Sequence, residues 1–305
     1  MKVLVTGGAG FIGSHIVEQL LEEKHQVVII DDLSTGLLTN IQPQAEFIKM
    51  DICSQELNDV LETEKFDYVI HLAAQTMVPK SMDRPDFDCH VNILGTVNLL
   101  EACRKNQVKR IIFASSAAVY GDDNQPPIKE NAITNPASFY GLSKLTVEKY
   151  LELYYKLFGL EYIVLRYANV YGERQGDTGE GGVISIFTRK LQKDEVVQVH
   201  GDGGQTRDFI YVGDIAKANL QSLLTTNANR VYNISTKTET SINTLLELLS
   251  KVSGRTTEKL YTSPREGDIY RSSLDNNAAC QLLNWQPKTR LVDGLARTYN
   301  SLITD

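Results

Sequence analysis

Tyr140 and Lys144 are the residues whose types and spacing best suit chemistry, and their stretch predicts a helix from about Ser138. Side chains four positions apart share one helix face, so the lysine ammonium would lie beside the phenol. A positive charge there lowers the pKa of a tyrosine, which can then act as a general base on an alcohol. Ser116, at the end of an earlier predicted strand, could hold the same hydroxyl. The alternative is a solvated helix face with an incidental tyrosine and lysine.

The first fourteen residues predict a dinucleotide site. Lys2–Thr6 is apolar like a buried strand, and Gly7, Gly10 and Gly13 follow it before an apolar helix from Phe11 to about Glu22. These glycines would permit a tight turn, the approach of a pyrophosphate and close helix packing, while the helix start offers free N–H groups to the anion. Directly after a first strand this spacing is a strong signal. The alternative is an ordinary glycine turn.

Two acidic residues end the next predicted strand, Gln26–Ile30. A carboxylate from Asp31 or Asp32 could accept hydrogen bonds from both ribose hydroxyls of NAD and would repel the 2′-phosphate of NADP. No arginine stands beside them, so we expect NAD. The alternative is that the acids only terminate the strand.

Composition limits the possible partners and compartments. The chain has 305 residues, of which 42% are hydrophobic and 23% charged, as in a soluble globular protein. Its net charge of −7 argues against nucleic acid, and no apolar run reaches the roughly 18 residues that a membrane span needs. The N-terminus predicts a strand rather than a signal peptide. The four cysteines lack metal-ligand spacing, so we expect no metal site and reduced thiols in the cytoplasm.

Strands and helices alternate along the chain, which predicts an α/β fold with a doubly wound parallel sheet. Ligands bind at the carboxyl ends of such strands, where the residues above are found. The further predicted strands are Glu46–Met50, Asp67–His71, Arg110–Ala114 and Tyr162–Arg166, and further helices are expected from about Ser54 to Thr63, from Pro85 to about Asn106 and over Val183–Leu191.

Several motifs together resemble the extended short-chain dehydrogenase/reductase family and, within it, the UDP-glucose (UDP-galactose) 4-epimerases. They are GGAGFIG, Asp51-Ile52, HLAA, FASSAAVYG, YGLSK and LRYANVYG, and the similarity covers essentially all of the chain. The resemblance implies a seven-stranded Rossmann domain, a smaller mixed C-terminal domain that binds the UDP-sugar, and tightly held NAD. It also implies NAD-dependent 4-epimerisation of a UDP-hexose through a transient 4-keto sugar.

The resemblance assigns roles to individual residues. The implied catalytic residues are Ser116, Tyr140 and Lys144. The implied NAD contacts, besides Tyr140 and Lys144, are Gly7, Gly10, Phe11, Ile12, Gly13, Asp31, Asp32, Asp51, Ile52, Leu72, Ala73, Ala74 and Asn92. The implied substrate contacts, besides Ser116 and Tyr140, are Asn169, Arg207, Arg265, Asp268 and Ser272. Arginine suits the diphosphate because its planar fork makes paired hydrogen bonds. The alternative for Arg207 and Arg265 is a surface ion pair with Asp208 or Asp268.

The same resemblance implies a domain division and an assembly. The NAD-binding domain would comprise residues 1–166 and about 205–232, and the UDP-sugar domain about 167–204 and 233–305. Two long helices from each subunit, here Pro85–Asn106 and Ser138–Phe158, would pair into the four-helix bundle of a homodimer.

The residues after Ser116 favour epimerisation over related reactions. Dehydratases of the family need acids there to eliminate water, whereas this chain has Ala117 and Ala118. Ser272, seven positions after Arg265, replaces a bulky tyrosine of related epimerases, so the pocket could admit UDP-GlcNAc as well as UDP-glucose. UDP-glucuronate as substrate, a net nucleotide-sugar oxidoreductase or dehydratase, and a non-catalytic NAD-binding sensor are the alternatives.

Overall fold

The computed structural model describes residues 1–176, 182–256, 258–264 and 270–304. Within them the strands, numbered β1 to β13 in chain order, are Lys2–Thr6, Gln26–Asp31, Glu46–Lys49, Tyr68–His71, Arg110–Ser116, Glu161–Tyr167, Asn169–Tyr171, Val197–His200, Thr206–Arg207, Phe209–Tyr211, Arg230–Ile234, Thr240–Ser241 and Lys259–Thr262. The α-helices, numbered α1 to α11, are Phe11–Glu22, Leu57–Glu64, Val78–Asp83, Pro85–Asp88, Thr96–Lys105, Phe139–Phe158, Val183–Gln192, Val212–Leu224, Ile242–Ser253, Asn277–Leu282 and Leu291–Thr304.

Seven parallel strands form the main sheet, in the order β11-β6-β5-β4-β1-β2-β3. The order reverses between β1 and β4, where Val5 pairs with Ile29 on one side and Ile70 on the other. Strands covered on both faces become continuous apolar runs, which explains the VLV and VVII stretches of β1 and β2. The predicted doubly wound α/β fold is confirmed, and its switch point places the glycine turn beside the loop after β4.

The three largest apolar clusters of the described residues hold these elements together. One packs α1 and α8 on one face of the sheet, and a second packs α2, α5 and α6 on the other. The third joins α7, α9 and α11 around Phe187, Leu245 and Leu295, and Phe11 and Ile12 at the start of α1 pack against it. Most residues of this third cluster belong to the C-terminal part of the chain, which is compatible with a second domain. The domain bounds stay a prediction.

Two predicted helices differ from those observed. The helix expected from Ser54 begins at Leu57, because Ser54 closes a turn with Asp51 and its hydroxyl bonds to Glu56 instead of capping the helix. The long helix expected from Pro85 is interrupted by a π-helical segment, Cys89–Gly95, between α4 and α5. Such segments often occur at functional sites. Among the described helices, none is long and apolar enough to cross a membrane.

Candidate active site

The glycine turn is built for close backbone contact. Gly7 has a φ of +73°, and a Cβ atom there would lie 2.7 Å from the backbone nitrogen of Ala73. A Cβ on Gly13 would lie 2.1 Å from the carbonyl oxygen of Gly7. Gly10 precedes α1, and no described side chain caps the N-terminus of this helix. The turn therefore presents uncapped N–H groups and the positive end of a helix dipole, as a pyrophosphate requires.

The structure distinguishes the two acids after β2. Asp31 is buried, and its carboxylate accepts hydrogen bonds from the N–H groups of Ala9 (3.0 Å) and Leu33 (2.9 Å). Asp32 is exposed and accepts from both the N–H and the hydroxyl of Ser34. Asp31 thus lies against the glycine turn and is the better candidate for the ribose hydroxyls.

Residues after the neighbouring strands lie along the same edge of the sheet. The N–H groups of Leu72 and Ala73 both donate to the carbonyl of Thr6, which holds the loop after β4 beside the glycine turn. Leu72, Ala73 and Ala74 are half-buried. After β3, Ile52 is buried and Asp51 is exposed. The uncapped helix, the glycine cradle and Asp31 together fit a dinucleotide.

The sheet and α6 bring the predicted catalytic residues together. Ser116 is the last residue of β5, and its hydroxyl accepts the N–H of Ala118 at 3.2 Å. Lys144 is buried, and its ammonium donates to the carbonyl of Ala114 on the same strand at 2.9 Å. The ammonium lies 5.8 Å from the ring centroid of Tyr140, which is half-buried. Lys144 is therefore not part of a solvated helix face.

Burial determines the titration of this lysine. It lowers the pKa of Lys144 to about 8, because the charged form loses its hydration. The negative charges of Asp88 and Glu148 act in the opposite direction and raise this pKa. Lys144 is consequently still protonated near neutral pH, and its charge favours ionisation of Tyr140.

Asn92 ties the loop after β4 to the catalytic helix. Its amide exchanges hydrogen bonds with the backbone of Gln75, at 2.7 and 3.0 Å, and donates to the hydroxyl of Ser143 at 3.1 Å. Ser143 precedes Lys144 and also donates to the carbonyl of Tyr140. Asn92 lies in the π-helical segment and is buried. This position is compatible with the supporting role that the resemblance implies.

A buried ion pair, which the sequence did not indicate, stabilises the position of α6. Glu148, one turn beyond Lys144, accepts two hydrogen bonds from the guanidinium of Arg166 at 3.0 and 2.6 Å and one from the hydroxyl of Ser115 at 2.6 Å. Both charged side chains are 5% exposed. Arg166 also donates to the Tyr120 hydroxyl. These hydrogen bonds join α6, β5 and β6 at Ser115, the residue before Ser116.

Replacing Arg166 with methionine should destabilise the protein by about 3–5 kcal/mol, because Glu148 would remain buried without its counter-charge. Chemical denaturation measures the change. Lys156→Met is the matched control, since it breaks an exposed pair with Glu152 and should cost less than about 1 kcal/mol. Equal losses in the two variants would contradict the argument.

Two predicted substrate residues line one cavity of about 350 Å³. Parallel pairing of β7 with β10 places Asn169 opposite Phe209, and Arg207 lies just before that strand. The cavity is completed by residues of α7 and β8, with Lys190 and His200 among them. Apolar side chains form about half of this lining, and Arg207 and Lys190 add positive charges that suit a nucleotide diphosphate.

Asp208 has a structural role next to this cavity. Its buried carboxylate accepts hydrogen bonds from the N–H groups of Thr236, Lys237 and Leu274. Ser272 is half-buried, and the carbonyl of its neighbour Ser273 accepts the N–H of Ile128, twelve positions after Ser116. The predicted Arg265 and Asp268 lie outside the described residues.

Comparison with known proteins gives consistent results. Residues 3–235 match the model of the NAD-dependent epimerase/dehydratase family. A curated relative, the UDP-glucose 4-epimerase of Mycolicibacterium smegmatis, is 40% identical over 98% of this chain and 97% of its own length.

Solved structures match over nearly the whole chain. A UDP-glucose 4-epimerase from Thermotoga maritima, solved with UDP-glucose, has a TM-score of 0.97 and 41% identity, with 100% of this chain and 99% of the other covered. A UDP-N-acetylglucosamine 4-epimerase from Methanobrevibacter ruminantium, in complex with UDP-N-acetylmuramic acid, has a TM-score of 0.95 and 37% identity, with coverage of 99% and 98%.

Proposed function

Because the chain belongs to the NAD-dependent epimerase/dehydratase family, we propose that it inverts the configuration at C4 of a UDP-hexose and uses NAD as its cofactor. The observation that carries the proposal is the placement of Lys144, buried against β5 and beside Tyr140 at the edge of the sheet that also bears the glycine turn. UDP-glucose and UDP-galactose are the proposed substrate pair, supported by the relatives named above.

In this mechanism Tyr140 takes the proton of the C4 hydroxyl and later returns it. Ser116 holds that hydroxyl, and the charge of Lys144 favours the phenolate. The glycine turn and Asp31 would hold NAD, which would supply the acceptor for the C4 hydride and its donor to the opposite face of the sugar. Arg207 and Asn169 hold the diphosphate while the sugar turns about its bond to it. Hydride and proton are both returned, so the reaction has no net redox change.

The residues after Ser116 favour epimerisation over dehydration within this family. Elimination of water needs a further acid and base near the sugar. Ala117 and Ala118 follow Ser116 and cannot transfer protons. No proton transfer beyond that of Tyr140 is therefore assigned.

UDP-GlcNAc and UDP-GalNAc form a second candidate pair. Ser272 is small and half-buried. The resemblance implies that this position lies near C2 of the sugar, where a small side chain leaves room for an N-acetyl group. One of the similar structures is a UDP-N-acetylglucosamine 4-epimerase, which supports this candidate.

Incubation of the purified protein with UDP-glucose, UDP-GlcNAc or UDP-glucuronate, without added NAD, tests the proposal. Proton NMR of the anomeric signals follows each reaction. Appearance of the matching galacto signals would establish 4-epimerisation, bound cofactor and substrate class together. A 4-keto-6-deoxy product would overturn the argument from Ala117 and Ala118. No change with any of these sugars, even after NAD is added, would favour another sugar as substrate or a sensor.

Replacing Arg207 with alanine should raise KM for the UDP-sugar by about 10- to 100-fold and leave kcat within about threefold, because the lost charge-assisted hydrogen bonds contribute about 1.5–3 kcal/mol to binding. Steady-state kinetics measure both constants. Arg255→Ala, which removes an exposed arginine paired with Asp194, is the control and should change neither. A wild-type KM in the Arg207 variant would show that Arg207 does not bind the diphosphate.

We also propose a homodimer in the cytoplasm. The outer face of α6 exposes Leu142, Leu153 and Leu157, which a second copy would cover in a four-helix bundle. The cysteines of the chain are free thiols, which fits a reducing compartment.

A further inference from the structure

Asp88 is a buried carboxylate that the mechanism above does not use. It is 1% exposed, at the end of α4, where the π-helical segment begins. Its side chain accepts hydrogen bonds from the amides of Gln75 (2.9 Å) and Asn92 (3.0 Å). Within the described part of the chain, no cationic group forms an ion pair with it. A buried carboxylate with neutral partners only is costly unless a positive charge is near.

Lys144 is a buried cation, as Asp88 is a buried anion. It is 4% exposed, and its ammonium donates to the carbonyl of Ala114 and lies 4.8 Å from the ring centroid of Phe113. No described carboxylate is in contact with it. The negative charges of Asp88 and of Glu148, which lies on the same helix, nevertheless both raise the pKa of Lys144.

The side chain of Asn92 links Asp88 to α6 at the residue before Lys144. Its amide nitrogen donates to Asp88 and to the hydroxyl of Ser143, the residue before Lys144. We propose that Asp88 is a positioning residue that keeps Lys144 protonated across Asn92. This inference rests on the proposed function in so far as Lys144 favours ionisation of Tyr140.

The other titratable groups that face Lys144 do not replace this charge. Glu148 is already paired with Arg166. His71, on β4, bonds to the hydroxyls of Thr6 and Thr96, and burial together with the charge of Lys144 lowers its pKa to about 3, so it is neutral. Tyr140 is the group whose ionisation the charge of Lys144 favours, so it is not an alternative to Asp88.

The geometry allows the charge to be removed with little change in hydrogen bonding. Both donors, from Gln75 and Asn92, bond to the same oxygen, Oδ1 of Asp88. In Asp88→Asn the amide oxygen can keep both contacts, while the negative charge is lost. Asp86→Asn is the matched control, because Asp86 is an exposed aspartate two residues earlier, paired with Arg84.

The first measurement is the pH dependence of kcat for the substrate identified above. Without Asp88 the pKa of Lys144 falls, so the alkaline limb of the profile should move to lower pH. We expect a loss of about tenfold near pH 8.5, a change within about twofold near pH 6.5, and an unchanged KM. Asp86→Asn should follow the wild-type profile. A profile of Asp88→Asn that coincides with wild type, or a loss that is equal at every pH, would overturn the inference.

A second measurement does not depend on turnover. NMR titration of protein labelled with [¹³C]lysine reports the protonation of Lys144, whose signal is assigned by its loss in Lys144→Met. The midpoint should move to lower pH in Asp88→Asn and stay in place in Asp86→Asn. If the wild type converts no UDP-sugar, the proposed function fails, but this titration still decides the inference.

If Asp88→Asn alone does not fold, stability measurements on double variants provide the test. Asp88→Asn combined with Lys144→Met removes both charges. If the two residues are counter-charges, the double variant should be at least as stable as Lys144→Met alone, because the latter leaves Asp88 buried without a cation. A double variant that is less stable than Lys144→Met would overturn the inference.

Discussion

Tyr140→Phe should lower kcat for 4-epimerisation by about 10²- to 10⁴-fold, because it removes the only atom assigned to take the proton of the C4 hydroxyl. The ring would keep its place beside Lys144, so bound NAD and KM for the UDP-sugar should be nearly unchanged. Steady-state kinetics, together with the NAD released from denatured protein, measure these quantities.

Tyr150→Phe is the matched control for this experiment. Tyr150 lies on the same helix, ten positions after Tyr140, and is 37% exposed. It should retain full activity. If Tyr140→Phe kept more than about a tenth of the wild-type kcat, another group would be the base and the proposed mechanism would be wrong.

Gly13→Ala should have the second large effect. An added Cβ would lie 2.1 Å from the carbonyl oxygen of Gly7 and 2.8 Å from the Cα of Gly8. These are backbone atoms, so the collision can be relieved only by moving α1 away from the turn. The variant should purify with less than about a tenth of the NAD of wild type, a loss of more than about 1.4 kcal/mol in binding.

The NAD content and the thermal midpoint of Gly13→Ala distinguish loss of the cofactor site from loss of the fold. Gly176→Ala is the control, since a Cβ at Gly176 would meet no described atom within 4 Å. A Gly13→Ala protein that retains stoichiometric NAD would show that the turn is not the pyrophosphate site.

Local patterns were sufficient to predict the regular parts of this fold. The predicted bounds of β1 and α1, Lys2–Thr6 and Phe11 to Glu22, agree with the structure, because an apolar run, a glycine turn and an amphipathic period follow one another within 22 residues. Strand alternation likewise predicted the parallel sheet. The spacing of Tyr140 and Lys144 predicted a shared helix face, and both residues lie beside β5.

Long-range polar contacts were beyond such reasoning. Glu148 and Arg166 lie 18 positions apart, and each has the appearance of an ordinary surface charge in the sequence. The π-helical segment at Cys89–Gly95 also escaped prediction, because a local change in hydrogen-bond register leaves almost no trace in an apolar pattern. Burial, which determines the behaviour of Asp88, can be seen only once the chain is folded.

Asp31 limits how cofactor preference can change in this protein. Its carboxylate is an acceptor for the N–H groups of Ala9, in the glycine turn, and Leu33, in the following loop. A substitution that removed the carboxylate, and with it the repulsion of a 2′-phosphate, would also leave these two N–H groups without their hydrogen-bond acceptor. An evolutionary path from NAD to NADP therefore has to rebuild the loop and the turn together, and a single exchange at this position would be a disadvantageous intermediate.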